Sequence, residues 1–218
     1  MQLMDLSHEV GDGTVTYPGL PAPRITDYLS REASRERYRG EAEFHIAKIE
    51  MIANTGTYLD APSHRYEDGD DIAQLALAKV AFLPGVIVHL PEGQRALRPE
   101  HLTGLDLRGC ALLVHTGWSR HWETEAYARA DHPYISREAA EALVDAGAAL
   151  AGIDSINVDD VADASRPAHT ILLRHGIPIV EHLTNLAALR DRKFTFFAVP
   201  PRMRGVGTFI VRAFAALD

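Results

Sequence analysis

The sequence predicts a single α/β domain. Short apolar runs of strand-like composition alternate with helix-like stretches along the chain, which is the element order typical of α/β folds. The 218 residues match the usual size of one domain, and 46% of them are hydrophobic, enough for a sizeable core. No repeat, low-complexity tract or Ser/Gly linker divides the chain, so residues 1–218 are expected to form one unit.

Seven apolar runs are predicted as strands. They are residues 44–52, 85–90, 111–116, 149–154, 177–181, 194–199 and 207–213. The first run alternates, with Ala47, Ile49 and Met51 on one face and Lys48 and Glu50 on the other, because successive side chains of a strand point to opposite faces. This strand is expected to lead directly into the polar segment that begins at residue 54.

Two helices are predicted from capping signals. The first begins after Ser136, a favoured N-cap residue, and stops at Gly147, a natural C-terminal residue. The second starts at Ser165, tolerates Pro167 in its first turn and ends near residue 176, which places His169 on an early turn.

Two polar stretches, residues 24–39 and 119–134, are predicted as long loops. The second contains several aromatic and histidine side chains: His121, Trp122, Tyr127, His132 and Tyr134. These side chains either line a pocket for a planar substrate or cover the core or a subunit contact.

Composition excludes several classes of protein. The formal net charge of −8 argues against non-specific nucleic-acid binding, which needs clustered cationic side chains. The amino terminus has no basic stretch followed by an apolar one, and no segment approaches the roughly 20 apolar residues of a membrane-spanning helix. We therefore expect a soluble cytoplasmic protein without a membrane partner. Cys110 is the single cysteine, which excludes an intrachain disulfide and predicts a packed, inert thiol.

The most informative segment is NTGTYLDAPSH, residues 54–64, because it contains Asp60 and His64 four residues apart. His169 and Glu181 lie far downstream. Carboxylate and imidazole groups are suitable ligands for zinc or manganese, so these four side chains could hold one divalent metal. The alternative is that Asp60 caps a loop and His64 makes an ordinary hydrogen bond.

The spacing of this segment resembles a family motif. Gly56, Thr57, Asp60, Pro62 and His64 fit the pattern His-x-Gly-Thr-His-x-Asp-x-Pro-x-His of the metal-dependent cyclase family, which includes bacterial kynurenine formamidase and isatin hydrolase. The downstream segments HTILL and IPIVEHLTNL resemble the family's His-x-x-Leu-Leu and Val-Glu-Asn-Leu elements, and GIDS and LVHTGW also look like family segments. The resemblance therefore covers most of the chain.

The resemblance implies the swivelling β/β/α fold with a mixed sheet, a homo-oligomer (dimer or tetramer), and a metal held by Asp60, His64, His169 and Glu181. It further implies hydrolysis of an amide or lactone bond in a small aromatic or cyclic substrate, with formylkynurenine-like amides as the default. Metal-dependent cyclisation or dehydration, or a decayed homologue that only binds a metabolite, are the alternatives.

The chain departs from the motif at two positions. Asn54 and Tyr58 stand where the pattern has its first two histidines, and neither an amide nor a phenol is a good replacement ligand, so one metal rather than two is expected. Tyr58 either donates a proton or hydrogen bond to the reacting groups or fills the vacated volume. Asn54 is expected to brace the turn at Gly56. The predicted catalytic residues are Tyr58, Asp60, His64 and Glu181, with either carboxylate acting as the base.

Four secondary expectations concern polar residues near these segments. Asp154 is a candidate for orienting a ligand histidine. The aspartates at 159, 160 and 163 are expected to lie in a solvated loop. His45 is expected to lie near the site without binding the metal. His182 is expected to point away from the site if residues 177–182 are extended.

Overall fold

The computed structural model describes residues 2–217, in which the chain forms thirteen strands and three α-helices. The strands are β1 (Gln2–Asp5), β2 (Arg24–Leu29), β3 (Ile46–Glu50), β4 (Tyr58–Asp60), β5 (Leu83–His89), β6 (Ala96–Leu97), β7 (Ala111–His115), β8 (Tyr134–Ile135), β9 (Leu150–Ile153), β10 (Ile179–Glu181), β11 (Phe194–Phe197), β12 (Thr208–Ile210) and β13 (Phe214–Leu217). The helices are α1 (Arg31–Arg37), α2 (Arg137–Asp145) and α3 (Pro167–Arg174).

A nine-stranded mixed sheet organises the molecule, in the order β1-β13-β11-β5-β7-β9-β10-β4-β12. Its centre, from β5 through β7 and β9 to β10, is parallel, and the flanking pairs are antiparallel. Within this parallel centre, β7, β9 and β10 are buried on both faces, as is usual for parallel sheets. Leu112 and Val114 pack in the apolar cluster that contains Leu143 of α2 and Leu172 of α3, whereas Leu113 packs in the opposite cluster.

The predicted α/β class with a mixed sheet is confirmed. Helix α2 begins after Ser136, whose hydroxyl accepts a hydrogen bond from the backbone N–H of Ala139 at 3.2 Å. It ends before Gly147, which takes a φ of +74° that side-chain-bearing residues rarely adopt. Helix α3 starts at Pro167, two residues after the predicted Ser165, with His169 in its first turn as predicted.

The predictions for the first 60 residues need correction. The stretch 24–39 is not a loop, because it forms β2 and α1. β2 pairs only with β3, in a separate two-stranded ribbon, and all five residues of β3 are exposed. Alternation in the sequence of β3 therefore does not mark a core face within this chain. Strand β4 was not predicted; it places the motif residues on the main sheet rather than in a loop.

Within residues 2–217, no helix is long and apolar enough to cross a membrane, and the longest, α2, has nine residues.

Candidate metal centre

Antiparallel pairing of β4 and β10 brings together three polar side chains. Tyr58 lies directly opposite Glu181, and Asp60 lies opposite Ile179. Because side chains alternate along a strand, Tyr58 and Asp60 leave the same face of β4, while Leu59 between them is fully buried in the core. The Tyr58 hydroxyl donates a hydrogen bond of 2.6 Å to Oε2 of Glu181.

A short 3₁₀ turn, Pro62–His64, carries His64 to the end of β4. The turn passes very close to Gly207, whose carbonyl accepts a hydrogen bond from the N–H of Ala61 at 2.7 Å. A Cβ at position 207 would lie 2.5 Å from the backbone nitrogen of His64, closer than real Cβ atoms approach. Glycine at this position is what allows His64 to be placed here.

Asp159 sets the position of His169. Its carboxylate accepts hydrogen bonds from the backbone N–H groups of Ala168 (2.6 Å) and His169 (3.2 Å), and so caps α3. The same carboxylate lies 2.6 Å from Nδ1 of the His169 ring, which leaves Nε2 free to face Asp60. A carboxylate on the second ring nitrogen is the usual partner of a metal-binding histidine.

This role of Asp159 corrects two expectations. Asp159 is fully buried rather than solvated. Asp154 does not orient a ligand, since its carboxylate accepts from the backbone N–H groups of Thr116 (2.7 Å) and Gly117 (2.9 Å). The need of His169 for an acidic partner was foreseeable, but the sequence does not say which aspartate supplies it.

Asp60, His64 and His169 converge on one point. One nitrogen or oxygen atom from each lies within 4.8 Å of the others. Nε2 of His64 is 3.9 Å from Oδ1 of Asp60, and Nε2 of His169 is 3.6 Å from Oδ2. These separations are too long for hydrogen bonds, but a cation with bonds of about 2.0–2.2 Å to each atom spans them.

The environment of Asp60 supports that fit. Asp60 is fully buried, and neither carboxylate oxygen has a hydrogen-bond partner among the described residues. Burying an ionised carboxylate without a partner is costly, so native structures pair such groups or use them to coordinate metals. The donor set of one carboxylate and two imidazoles therefore suits a divalent cation.

Glu181, the fourth predicted ligand, lies beside this group but is not part of it. Its Oε1 atom is 3.7 Å from Nε2 of His169 and accepts a hydrogen bond from the N–H of Val158 at 2.6 Å. Its Oε2 atom accepts from Tyr58. Both oxygens are thus already engaged, in contrast to those of Asp60.

Burial and neighbouring charges shift the pKa values of these groups. Burial raises the pKa of Glu181 to about 7; the cationic His169 opposes the shift and Asp60 adds to it. Burial, together with the charges of Glu181 and Asp60, raises the pKa of Tyr58 well above its usual value, so the phenol stays protonated. Burial by itself lowers the pKa of His169, but the hydrogen bond to Asp159 and the negative charges of Asp60 and Glu181 outweigh it and raise the pKa to about 10.

Two other expectations about polar residues fail. Asn54 does not brace the Gly56 turn: the N–H of Gly56 donates to Thr16, whereas Asn54 accepts from Thr208 at 3.0 Å. His45 is remote from the site and contacts Asp27 on the exposed ribbon.

His182 leaves the extended conformation, with a φ of +58°, and its ring packs 5.0 Å from that of Tyr58. Burial lowers its pKa to about 3, so the ring stays neutral. Trp122 and Tyr127, from the predicted aromatic loop, surround this ring. Neither Trp122 nor Tyr127 lines the cavity beside Tyr58. Of the two roles predicted for these aromatic residues, covering the core therefore fits them better than lining a substrate pocket.

A cavity of about 510 Å³ opens beside the three converging side chains. Its walls include Tyr17, Tyr58, His64, Asn157, Arg166 and Glu181. This volume accommodates a small molecule of one or two rings next to the candidate centre.

The chain is similar to several known proteins along most of its length. A family described as "Putative cyclase" matches residues 4–160. Kynurenine formamidase from Salinibacter ruber is 28% identical over 213 residues, with 98% of this chain and 96% of that protein covered. Kynurenine formamidase from Geobacillus thermodenitrificans is 33% identical over 181 residues, with 83% and 81% covered. Isatin hydrolase A from Labrenzia aggregata shares the fold, with a TM-score of 0.83 at 23% identity over 98% of this chain and 93% of that one.

Proposed function

Because this chain belongs to the cyclase family, we propose that it is a metal-dependent hydrolase. The proposed reaction opens an amide or lactone bond of a small aromatic or cyclic substrate, and formylated aromatic amines are the first class to test, given the kynurenine formamidases among its relatives. The observation that carries the proposal is the buried carboxylate of Asp60, unpaired between two imidazole nitrogens.

The proposed ligands of a single divalent ion, zinc or manganese, are Asp60, His64 and His169. One ion per chain follows from the motif, since Asn54 and Tyr58 replace the two histidines that a second ion would need. When bound, the ion supplies a Lewis acid for the scissile carbonyl and lowers the pKa of water at the site.

Glu181 is assigned the role of general base rather than of ligand, because it lies outside the converging group of Asp60, His64 and His169, and Tyr58 and the N–H of Val158 hold its carboxylate beside that group. A pKa of about 7 suits a base that works at neutral pH. Each carboxylate oxygen has a second acceptor position, so Glu181 can take the proton of the attacking water. The protonated carboxyl then delivers that proton to the departing amine nitrogen, which restores the carboxylate.

Tyr58 is assigned the role of orienting this base. Its phenol stays protonated and donates to Oε2 of Glu181, which stabilises the charged form of the carboxylate. The phenol also occupies the place of a motif histidine, as the space-filling interpretation expects, but its hydrogen bond goes to Glu181 rather than to a reacting group.

We further infer that the protein is a cytoplasmic homo-oligomer. The ribbon of β2 and β3 exposes several large apolar side chains, among them Tyr28 (75% exposed), Ile49 (59%) and Ile46 (48%). Apolar side chains clustered on an exposed ribbon mark an interaction surface. Light scattering on the purified protein tests this: a mass of one chain, 24.0 kDa, would contradict it.

Metal content tests the ligand assignment. Protein purified without an affinity metal is expected to hold about one zinc or manganese per chain, and His64→Ala is expected to lose it. His45→Ala, a histidine outside the site, and Glu181→Gln should keep it. Two ions per chain would contradict the single site, and loss of the ion in Glu181→Gln would make Glu181 a ligand.

Product analysis in ¹⁸O-labelled water tests the reaction. Hydrolysis of N-formylkynurenine by the metal-loaded protein is expected to place solvent oxygen in the released formate, and Glu181→Gln should lower kcat by at least about 100-fold, the usual contribution of a general base. Release of water from a substrate without label uptake would favour the dehydratase alternative. Tight metal binding with no turnover of amides or lactones would favour the binding-only alternative.

A further inference from the structure

Two histidines face each other at the carboxyl ends of neighbouring strands, away from the cavity. His89 ends β5 and His115 ends β7, and the parallel register of these strands pairs the two residues. Their Nδ1 atoms are 2.8 Å apart, and the ring planes cross at 73°. At this distance one ring nitrogen donates a hydrogen bond to the other, so only one of the two Nδ1 atoms carries a proton.

The position of Asp154 indicates which ring is the donor. Nε2 of His115 lies 4.0 Å from Oδ2 of Asp154, which is fully buried. The negative charge of this carboxylate favours a proton on Nε2 of His115 and leaves Nδ1 of that ring as the acceptor. His89 then donates through Nδ1 and has its free electron pair on Nε2.

Neither ring has a favourable place for a further proton. A proton on Nδ1 of His115 would meet the N–H of His89 and break the contact. A proton on Nε2 of His89 would make a buried donor without an acceptor, because this atom has no hydrogen-bond partner within residues 2–217. The fold therefore holds both imidazoles in the neutral form.

The charges around the pair act mainly in the same direction. Burial lowers the pKa of His115, and the cationic Arg190 and Arg120 lower it further. Burial also lowers the pKa of His89, and the neighbouring His115 and Arg190 add to this effect. The charge of Asp191 opposes it. Protonation of the pair thus works against the surroundings that the fold provides.

The contact holds a segment that is not part of the two large core clusters. His115 is followed by a two-residue link and the 3₁₀ turn Trp118–His121. Trp118 is buried in a small separate apolar cluster that also contains Tyr127. Breaking the contact with His89 would therefore free the carboxyl end of β7 and the attached turn before it disturbs the main core.

We propose that His89 and His115 form an acid-sensitive clamp, which holds the end of β7 and the turn Trp118–His121 at neutral pH and releases them when Nδ1 of His115 takes up a proton. Neither histidine forms a hydrogen bond or ion pair with a proposed metal ligand in the described part of the chain, so the clamp does not depend on the proposed reaction. Its stabilising effect is complete above the ordinary histidine pKa of about 6.5 and is lost as the pH falls below that value.

The main test compares parent and His89→Asn by denaturant unfolding of metal-loaded protein at pH 7.5 and 5.0. The amide of asparagine still donates to Nδ1 of His115, but one titrating group is gone. Over this pH range, a histidine kept neutral in the folded state lowers the folding equilibrium constant by up to about 30-fold. The ratio of the parent constant to the variant constant should therefore fall by about 3- to 30-fold on acidification. An unchanged ratio would overturn the proposal.

Two controls accompany this comparison. His45→Asn, at an exposed histidine outside the main sheet, should keep the same ratio to the parent at both pH values. Burial raises the pKa of Asp154 to about 6, which acts on stability in the opposite direction, but Asp154 is present in every variant and its effect cancels in the ratios.

Removing the contact itself should be visible at neutral pH. His89→Leu leaves Nδ1 of His115 without its donor, so its folding equilibrium constant at pH 7.5 should be about 2- to 10-fold below that of the parent, the usual effect of one hydrogen bond. Its loss of stability on acidification should be as small as that of His89→Asn. Stability equal to the parent at pH 7.5 would show that the contact holds nothing.

Amide hydrogen exchange tests whether the release is local. After correction for the intrinsic exchange rate, the parent at pH 5.0 should lose protection in residues 115–121 and keep it in α2, whereas His89→Asn should keep it in both. Equal loss along the whole chain would overturn the clamp. Long-range ¹H–¹⁵N spectra at pH 7.5 should show a proton on Nδ1 of His89 and none on Nδ1 of His115, and unprotonated Nδ1 atoms in both rings would contradict the contact.

Discussion

Replacing Tyr58 by Phe removes one hydroxyl from the site and almost no volume. Tyr58 is 4% exposed, and its hydroxyl donates a 2.6 Å hydrogen bond to Glu181. That bond favours the charged carboxylate and lowers the pKa of Glu181 against the larger effect of burial. Its loss should therefore raise the pKa of Glu181 above its value of about 7.

The size of the shift follows from the strength of the bond. A hydrogen bond to a charged group contributes about 1.5–3 kcal/mol, and about 1.4 kcal/mol corresponds to one pKa unit. We expect a rise of about one to two units. A base must be deprotonated to act, so activity rises with pH through the pKa of Glu181, and in Tyr58→Phe the acid limb of the kcat/KM profile should move to higher pH by that amount.

The assay is a pH–rate profile of parent and Tyr58→Phe with N-formylkynurenine. Tyr66→Phe is the matched control, because it also loses one phenol hydrogen bond, the 2.8 Å bond to the carbonyl of Thr170, but lies outside the cavity. An acid limb that stays in place while the metal content remains at one per chain would refute the assignment of Glu181 as the base.

Three further outcomes are expected at the metal centre. Asp159→Asn should weaken metal binding by about 10- to 100-fold, because it loosens the hydrogen bond that positions His169. Asp163→Asn, at an exposed aspartate, should bind metal like the parent. Equal metal affinities of Asp159→Asn and the parent in a titration would contradict this role of Asp159. Gly207→Ala should displace His64 and lower metal content per chain, while a full complement of metal would show that the turn can shift without loss. Zinc at about 100 times its Kd should raise the free energy of unfolding of the parent by about 2.7 kcal/mol. This stabilisation should be measured as a rise in Tm that a chelator reverses. His64→Ala should show no such rise.

Local signals in the sequence predicted much of the fold. Ser136 and Gly147 delimit α2 because capping depends on the residue itself and its immediate neighbours. The apolar run at 111–116 became β7, since a strand buried on both faces needs continuous apolar residues. The run at 44–52 became an exposed strand, because alternation gives the faces of a strand but not what covers them.

The residues that converge at the candidate metal centre were also predicted from the sequence, through the motif at 54–64 and its downstream counterparts. Two determinants of their chemistry were not. Asp159 reaches His169 only because the loop before α3 folds back over the first turn of the helix. Glu181 bonds to Tyr58, 123 residues away, only because β4 and β10 pair in a register that sets them opposite each other.

The sequence by itself determined the fold class, the ends of α2 and the chemical identity of the candidate ligands, because caps, apolar patterns and motif spacing are properties of neighbouring residues. Tertiary structure alone decided which carboxylate faces the two imidazoles without a hydrogen bond and which is held by Tyr58 and Val158. The physical reason is that desolvation and strand register depend on packing between distant segments, and they separate the proposed metal ligand Asp60 from the proposed base Glu181.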